Sequence, residues 1–148
     1  MGDRKMSNSP AKFKAPIGYL GDTGTAKGLG VFASRDIRQG EIVEISPVIL
    51  FDGRLEDLPD ALSNSAFGWR VIGGKAKFAI CLGYGGMYNH ANPANLIYSI
   101  AHERGMQFIA ARDIKADEEL TVNYNDTKGG TESTEDVWFR LSGVKPLP

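Results

Sequence analysis

Three separated stretches of this chain carry groups able to bind or orient a polar ligand. The first is Lys27-Gly28-Leu29-Gly30, where two glycines flank one residue. Without Cβ atoms the main chain can approach a ligand or another strand closely, and the neighbouring ammonium could meet a carboxylate. Read on through Val31-Phe32-Ala33, the run fits the G-x-G-x-x-A fingerprint of dinucleotide-binding folds. That fingerprint needs a buried strand before it and a helix after it. Here Gly18 to Lys27 is rich in turn formers, and Ser34 to Phe51 is β-branched and broken by Gly40 and Pro47. The dinucleotide reading fails, which leaves a close backbone approach or a plain turn or bulge. The second stretch is Tyr88-Asn89-His90-Ala91-Asn92-Pro93-Ala94-Asn95-Leu96-Ile97-Tyr98, and the third is Glu119-Leu120-Thr121-Val122-Asn123-Tyr124. Cys81, His90 and His102 are the only soft metal ligands, so four Cys or His from this chain cannot close a zinc site and no metal is expected. A single cysteine also excludes an internal disulfide.

The elements that must position these groups are mostly strands. The chain has 148 residues, 42% hydrophobic and 24% charged, which is ordinary composition for one globular domain with its own core. Residues 1–16, rich in Pro, Ser, Asn and Lys, read as a flexible lead-in, with a single domain over 17–148. Eighteen glycines punctuate short β-branched and aromatic runs: Val31 to Ala33, Ile42 to Phe51, Lys77 to Leu82, Leu96 to Ile100, Met106 to Ala111 and Leu120 to Tyr124. The expected class is mostly β with a few short helices. One helix is expected near Leu55 to Leu62, where Pro59 fits only a first turn. A second is expected from Ser133 or Thr134, where Ser133-Thr134-Glu135-Asp136 has capping-box spacing before Trp138, and Gly143 and Pro146 end it. No internal repeat is apparent.

Three motifs stand in the order found in SET domains, the β-rich fold of S-adenosylmethionine-dependent protein-lysine methyltransferases. Gly28-Leu29-Gly30 resembles the family's G-x-G; Asn89, His90 and Asn95 resemble its N-H-x-x-x-x-N; and Glu119, Leu120, Thr121 and Tyr124 resemble its E-L-T-x-x-Y. The likeness runs from about Lys27 to Tyr124. It implies several small β-sheets with a C-terminal pseudoknot (β-clip), a short closing segment from about 127 and, as cofactor, S-adenosylmethionine, which leaves as S-adenosylhomocysteine. By resemblance Tyr124 is the catalytic tyrosine and Tyr98 lines the lysine channel, although Tyr98 could equally be a packing residue. Lys27, Gly28, Leu29 and Gly30 approach the methionine end of the cofactor. The Asn89 amide takes its ammonium, and the His90 main chain meets the adenine edge. Asn95 ties loops together. Trp138 stacks on adenine or lids the channel, or else packs a C-terminal helix with Leu141, and Trp69 belongs to the core. The sequence also departs from the pattern. The family's Y-x-G falls on Ser46-Pro47-Val48, so one aromatic channel wall is missing there, and cysteine-rich flanking modules are absent.

The resemblance implies transfer of a methyl group to a lysine of a protein. A free lysine, near pKa 10.4, is protonated at neutral pH. An apolar channel and an adjacent sulfonium disfavour the ammonium, so orientation matters more than an acid or base. The alternatives are a noncatalytic module that binds a basic peptide, and methylation of an N-terminal amine or a small molecule. A net charge of −1 provides no field for nucleic acid or membranes. Between Asp113 and Asp136, however, eight acids face two lysines, which suits a basic, lysine-bearing partner such as a histone, or simply forms a solvated acidic rim. A homodimer covering exposed strand edges is compatible with the size. No run approaches 18 apolar residues, and no apolar stretch suited to a secretion signal stands at the start. The expected location is intracellular, cytoplasmic or, in a eukaryote, nuclear.

Overall fold

The computed structural model describes residues 12–72 and 75–124. Trp138, the helix expected from Ser133 and the closing segment from about 127 lie outside the described residues. Nine strands carry the described fold: β1 (Gly18–Asp22), β2 (Leu29–Ala33), β3 (Ile42–Asp52), β4 (Ala66–Ile72), β5 (Lys75–Cys81), β6 (Asn89–His90), β7 (Leu96–His102), β8 (Gly105–Ala110) and β9 (Glu119–Val122). The helix expected over Leu55 to Leu62 is split. A 3₁₀ turn, Leu55–Asp57, is followed by α1 (Asp60–Ser63), and Pro59 stands just before α1, where its fixed φ and missing N–H do no harm. No helix among the described residues is long and apolar enough to cross a membrane.

Two sheets divide the strands. One has the order β1-β2-β9-β6 and the other β4-β5-β3-β8-β7. In the first, Val31 pairs with Leu120 and Phe32 with Glu119 across an antiparallel edge, while Asn89 pairs with Thr121 and His90 with Val122 in parallel. Strands far apart in sequence thereby place the glycine bend, the asparagine-histidine corner and the last motif side by side. Between the sheets lie Val31, Val43, Leu96, Phe108, Leu120 and Val122, all fully buried. Burying each such side chain contributes about 1.5–3 kcal/mol. Trp69 is buried with this core, as expected from the sequence.

A β-bulge shapes the middle of the second sheet. The β3–β8 register shifts between Ile42 and Glu44, which puts one extra residue into β3 and resets which face the residues after it present; Val43, Glu44, Ile45 and Ser46 are all buried. The chain enters at Lys14, whose N–H and carbonyl both pair with Ile45. His102 accepts the Arg104 N–H on Nδ1, which leaves its Nε2–H to donate to the Lys12 carbonyl at 2.8 Å.

An internal repeat, not apparent from the sequence, emerges from the hydrogen bonds. Ala33-Ser34-Arg35-Asp36-Ile37-Arg38-Gln39-Gly40-Glu41 and Ala110-Ala111-Arg112-Asp113-Ile114-Lys115-Ala116-Asp117-Glu118 clasp each other about a local two-fold. Ile37 and Ile114 exchange both backbone bonds at 2.8 Å. The Asp36 carboxylate accepts from the Ala116 N–H, and the Asp113 carboxylate accepts from the Gln39 N–H, each at 2.8 Å. Within each copy the arginine pairs with the glutamate six residues on, Arg35 with Glu41 and Arg112 with Glu118. One copy turns at Gly40 (φ +86°) and the other at Asp117 (φ +69°), an aspartate being one of the few residues that tolerate this left-handed region. Ala, Arg, Asp, Ile and Glu recur at matching places in the two copies, but segments this short do not stand out as a repeat until their hydrogen bonds are seen.

Candidate active site

The glycine bend is needed for close approach. A Cβ on Gly30 would stand 2.6 Å from Glu119 Oε2, 2.9 Å from Thr23 Cγ2 and 3.0 Å from Asn89 Nδ2, so any larger residue would displace these side chains from their present positions. Asn89 is fixed at this junction. Its Nδ2 donates to the Leu29 carbonyl at 2.9 Å and to Glu119 Oε2 at 2.8 Å, which uses both amide hydrogens and sets which end of the amide is oxygen. Lys27 Nζ donates to the His90 carbonyl at 3.2 Å. The site thus sets an ammonium and a carboxylate close to one Asn-His corner. Such a paired arrangement suits the carboxylate and ammonium of an amino acid zwitterion, and the donor set therefore fits the methionine end of S-adenosylmethionine. Glu119 was visible in the sequence only as the first letter of a motif, with no role attached.

Tyr124 is held at three points. Its N–H donates to His90 Nδ1 at 3.1 Å, its ring packs on the His90 ring with centroids 5.1 Å apart, and its hydroxyl donates to the Tyr88 carbonyl at 3.2 Å. Because Nδ1 accepts, His90 is neutral here. Burial and, secondarily, the Lys27 charge hold its pKa below the ordinary histidine value. The Tyr124 hydroxyl is shifted upward, by burial first and then by the Glu119 charge, with a backbone hydrogen bond at His90 opposing. At neutral pH it stays protonated and acts as a hydrogen-bonding group, not as a base. The structure therefore brings Gly30, Asn89, His90 and Tyr124 into one continuous chain of contacts, with Lys27 attached.

Tyr98 belongs to the same neighbourhood. It is buried, and its hydroxyl donates to the Asn123 carbonyl at 3.3 Å. With Phe67, Tyr88, Tyr124, Gly85 and Gly86 it lines a cavity of about 60 Å³. Aromatic contacts stiffen that wall: the Phe67 and Tyr98 centroids are 5.1 Å apart, and those of Tyr88 and Phe108 4.9 Å. Asn95, expected to tie loops together, instead ties the loop before β7 to strand β9. It is buried, its Oδ1 accepts the Thr121 N–H at 2.8 Å, and its Nδ2 donates to the Glu119 carbonyl at 2.8 Å.

Position 46 explains where the expected aromatic wall has gone. Ser46 is fully buried and accepts the Gly83 N–H at 3.0 Å, so it anchors the turn behind the cavity and does not line it. Tyr88 supplies an aromatic wall instead. Behind it sits Glu44, 1% exposed, a residue the sequence reading passed over. The available signal was a lone acid inside an apolar run, Val43-Glu44-Ile45. Burial raises the Glu44 carboxyl above the usual carboxylate range, while hydrogen bonds from Tyr88 and the Tyr84 N–H pull the other way. The nearby Cys81 thiol is pushed up to about 12, chiefly by burial, and stays unreactive. Among the described residues no group of three or more Cys, His, Asp or Glu could hold a metal ion.

Comparisons with known proteins agree on one family. The sequence model of the SET domain covers residues 28–125. A histone-lysine N-methyltransferase specific for H3 lysine-37 from Schizosaccharomyces pombe is 30% identical over 104 residues, 68% of each chain. Among solved structures, a Plasmodium falciparum protein described as a candidate histone methyltransferase superposes with a TM-score of 0.62 at 27% identity, over 75% of this chain and 95% of that one. A ctPRC2 structure in an autoinhibited conformation, bound to S-adenosylmethionine, gives 0.57 at 26% identity, over 77% of this chain and 16% of the larger one.

Proposed function

This chain belongs to the SET-domain family, and we propose that it works within that family as an S-adenosylmethionine-dependent protein-lysine methyltransferase with its reactive centre at Tyr124. The observation that carries this reading is the convergence of Gly30, Asn89, His90 and Tyr124, which come from three remote segments, beside an aromatic cavity. When bound, the cofactor supplies an electrophilic sulfonium methyl. Lys27 and the Gly28-Leu29-Gly30 backbone are suited to its carboxylate, Asn89 and Glu119 to its ammonium, and the His90 main chain to its adenine edge. The apolar walls from Phe67, Tyr88 and Tyr98 disfavour a charged ammonium, so the lysine amine loses its proton to solvent on entry. Tyr124, fixed at ring, backbone and hydroxyl, orients that amine. Alignment of this kind can contribute several orders of magnitude in rate without a dedicated base.

The substrate is a protein, and we favour a histone or another basic tail, drawn to the acids between Asp113 and Asp136. In this reading Trp138 stacks on the adenine or lids the channel. Incubation with tritiated S-adenosylmethionine and purified core histones tests the reading. Tyr124→Phe is expected to lower kcat by about 100-fold or more while cofactor affinity stays within about threefold. Parallel loss of affinity and rate would make Tyr124 structural, and cofactor heats indistinguishable from buffer would leave only a peptide-binding module.

A further inference from the structure

The segment that delivers Asn89 and His90 begins Gly83-Tyr84-Gly85-Gly86, a run with few intrinsic restraints. Its rigidity comes from β3. Glu44 Oε2 accepts the Tyr84 N–H at 2.8 Å, and Glu44 Oε1 accepts the Tyr88 hydroxyl at 2.7 Å, so a single carboxyl grips both ends of the segment. Ser46, two residues on and so on the same face of β3, is also buried and takes the Gly83 N–H. Fit at this point is tight, since a Cβ on Gly83 would fall 2.1 Å from Glu44 Oε2. The far end of the same unit meets the reactive centre, where the Tyr88 carbonyl accepts the Tyr124 hydroxyl.

We propose that Glu44, acting through Tyr88, is a positioning residue for methyl transfer: it fixes the Tyr88 carbonyl and, through it, the direction of the Tyr124 hydroxyl. This rests on the methyltransferase reading above. A buried carboxyl costs more to desolvate than an apolar side chain of the same volume, a cost offset by its hydrogen bonds to the Tyr84 N–H and the Tyr88 hydroxyl, and those same bonds fix the geometry of the segment. Tyr88 contributes twice, its ring as a wall of the cavity and its hydroxyl as the handle by which Glu44 holds it.

Three variants separate positioning from mere support: Tyr88→Phe, Glu44→Leu and Glu44→Gln. With tritiated S-adenosylmethionine and core histones, Tyr88→Phe and Glu44→Leu are expected to lower kcat about 10- to 100-fold, with cofactor Kd and histone KM within about threefold. Glu44→Gln keeps the shape and an acceptor oxygen, and is expected to recover kcat to within about fivefold of the wild type. Hydrogen exchange on the same proteins is expected to speed up by about tenfold or more at the amides of 83–88 in Glu44→Leu, and to change little at β9. Rates are taken per cofactor-binding site, which removes any loss of folded protein. Wild-type kcat per site in Tyr88→Phe, or a glutamine variant as slow as the leucine variant with unchanged exchange, would overturn the positioning role. Absence of turnover in the wild type itself would instead count against the methyltransferase reading.

Discussion

The turn that launches β3 and the turn that launches β9 share their backbone bonds, their arginine-glutamate pairs and their reciprocal aspartates, and they differ in what is attached to them. In the first copy the left-handed position is Gly40, and Glu41 is engaged by Arg35 and the Arg38 N–H. In the second it is Asp117, whose carboxylate also accepts the Tyr19 hydroxyl at 2.7 Å and so ties in β1, while Glu118 is approached by Asn95 Nδ2 at 3.5 Å. Beyond the first turn the chain runs into Glu44 and Ser46, which support the site from behind. Beyond the second it runs into Glu119 to Tyr124, which form it. A repeated clasp thus fixes two strand origins, and the candidate site is built where residues after the clasp diverge.

If the two copies are mechanically equivalent, equivalent deletions must cost the same. Ile37 and Ile114 are each 1% exposed and hold the centre of the clasp. Ile37→Ala and Ile114→Ala are each expected to lower unfolding free energy by about 2–4 kcal/mol, as denaturant titration will show. A difference well beyond about 1 kcal/mol between them would break the equivalence.

A smaller effect sharpens the contrast. The Arg35 guanidinium holds the Glu41 carboxyl below the usual range, and the Arg112 guanidinium does the same for Glu118. A carboxyl whose folded pKa is depressed contributes stability above its unfolded value, near 4.3, and loses it as pH falls through the folded value. Glu41→Gln and Glu118→Gln are each expected to remove part of the acid-side decline of the wild type, at most about 1 kcal/mol because both pairs are partly exposed to solvent, which screens them. Only Glu118→Gln is expected to weaken cofactor binding as well, since Asn95 links Glu118 to β9. Calorimetric titration of both variants across pH 3 to 7 decides this. Equal cofactor affinity in the two variants would show that the attachment through Asn95 carries no weight.

Much of the fold was legible wherever β-branched and aromatic residues fall in short runs, as in β2, β3, β5, β7, β8 and β9. The strands that were missed are informative. β1 and β4 contain glycines that read as turns, and β6 has only two residues, existing because β9 lies beside it in parallel. Gly30, Asn89 and Tyr124 were legible because their spacing within short motifs resembles a known pattern. Glu44 and Tyr88 were not, because their roles depend on a bulge in β3 and on contacts across 44 positions of sequence, which no local pattern records. The Lys27 contact with the His90 carbonyl is likewise a product of tertiary approach.

The central claim is that a glycine bend, an asparagine-histidine corner and a tyrosine form one cofactor site. Backbone amide resonances followed during titration with S-adenosylmethionine test it most directly. The largest shifts are expected together on Gly28 to Gly30, Asn89 to Ala91 and Asn123 to Tyr124, saturating with a single affinity. Shifts confined to one of these segments, or centred on the far sheet around Ile49 and Leu82, would contradict it.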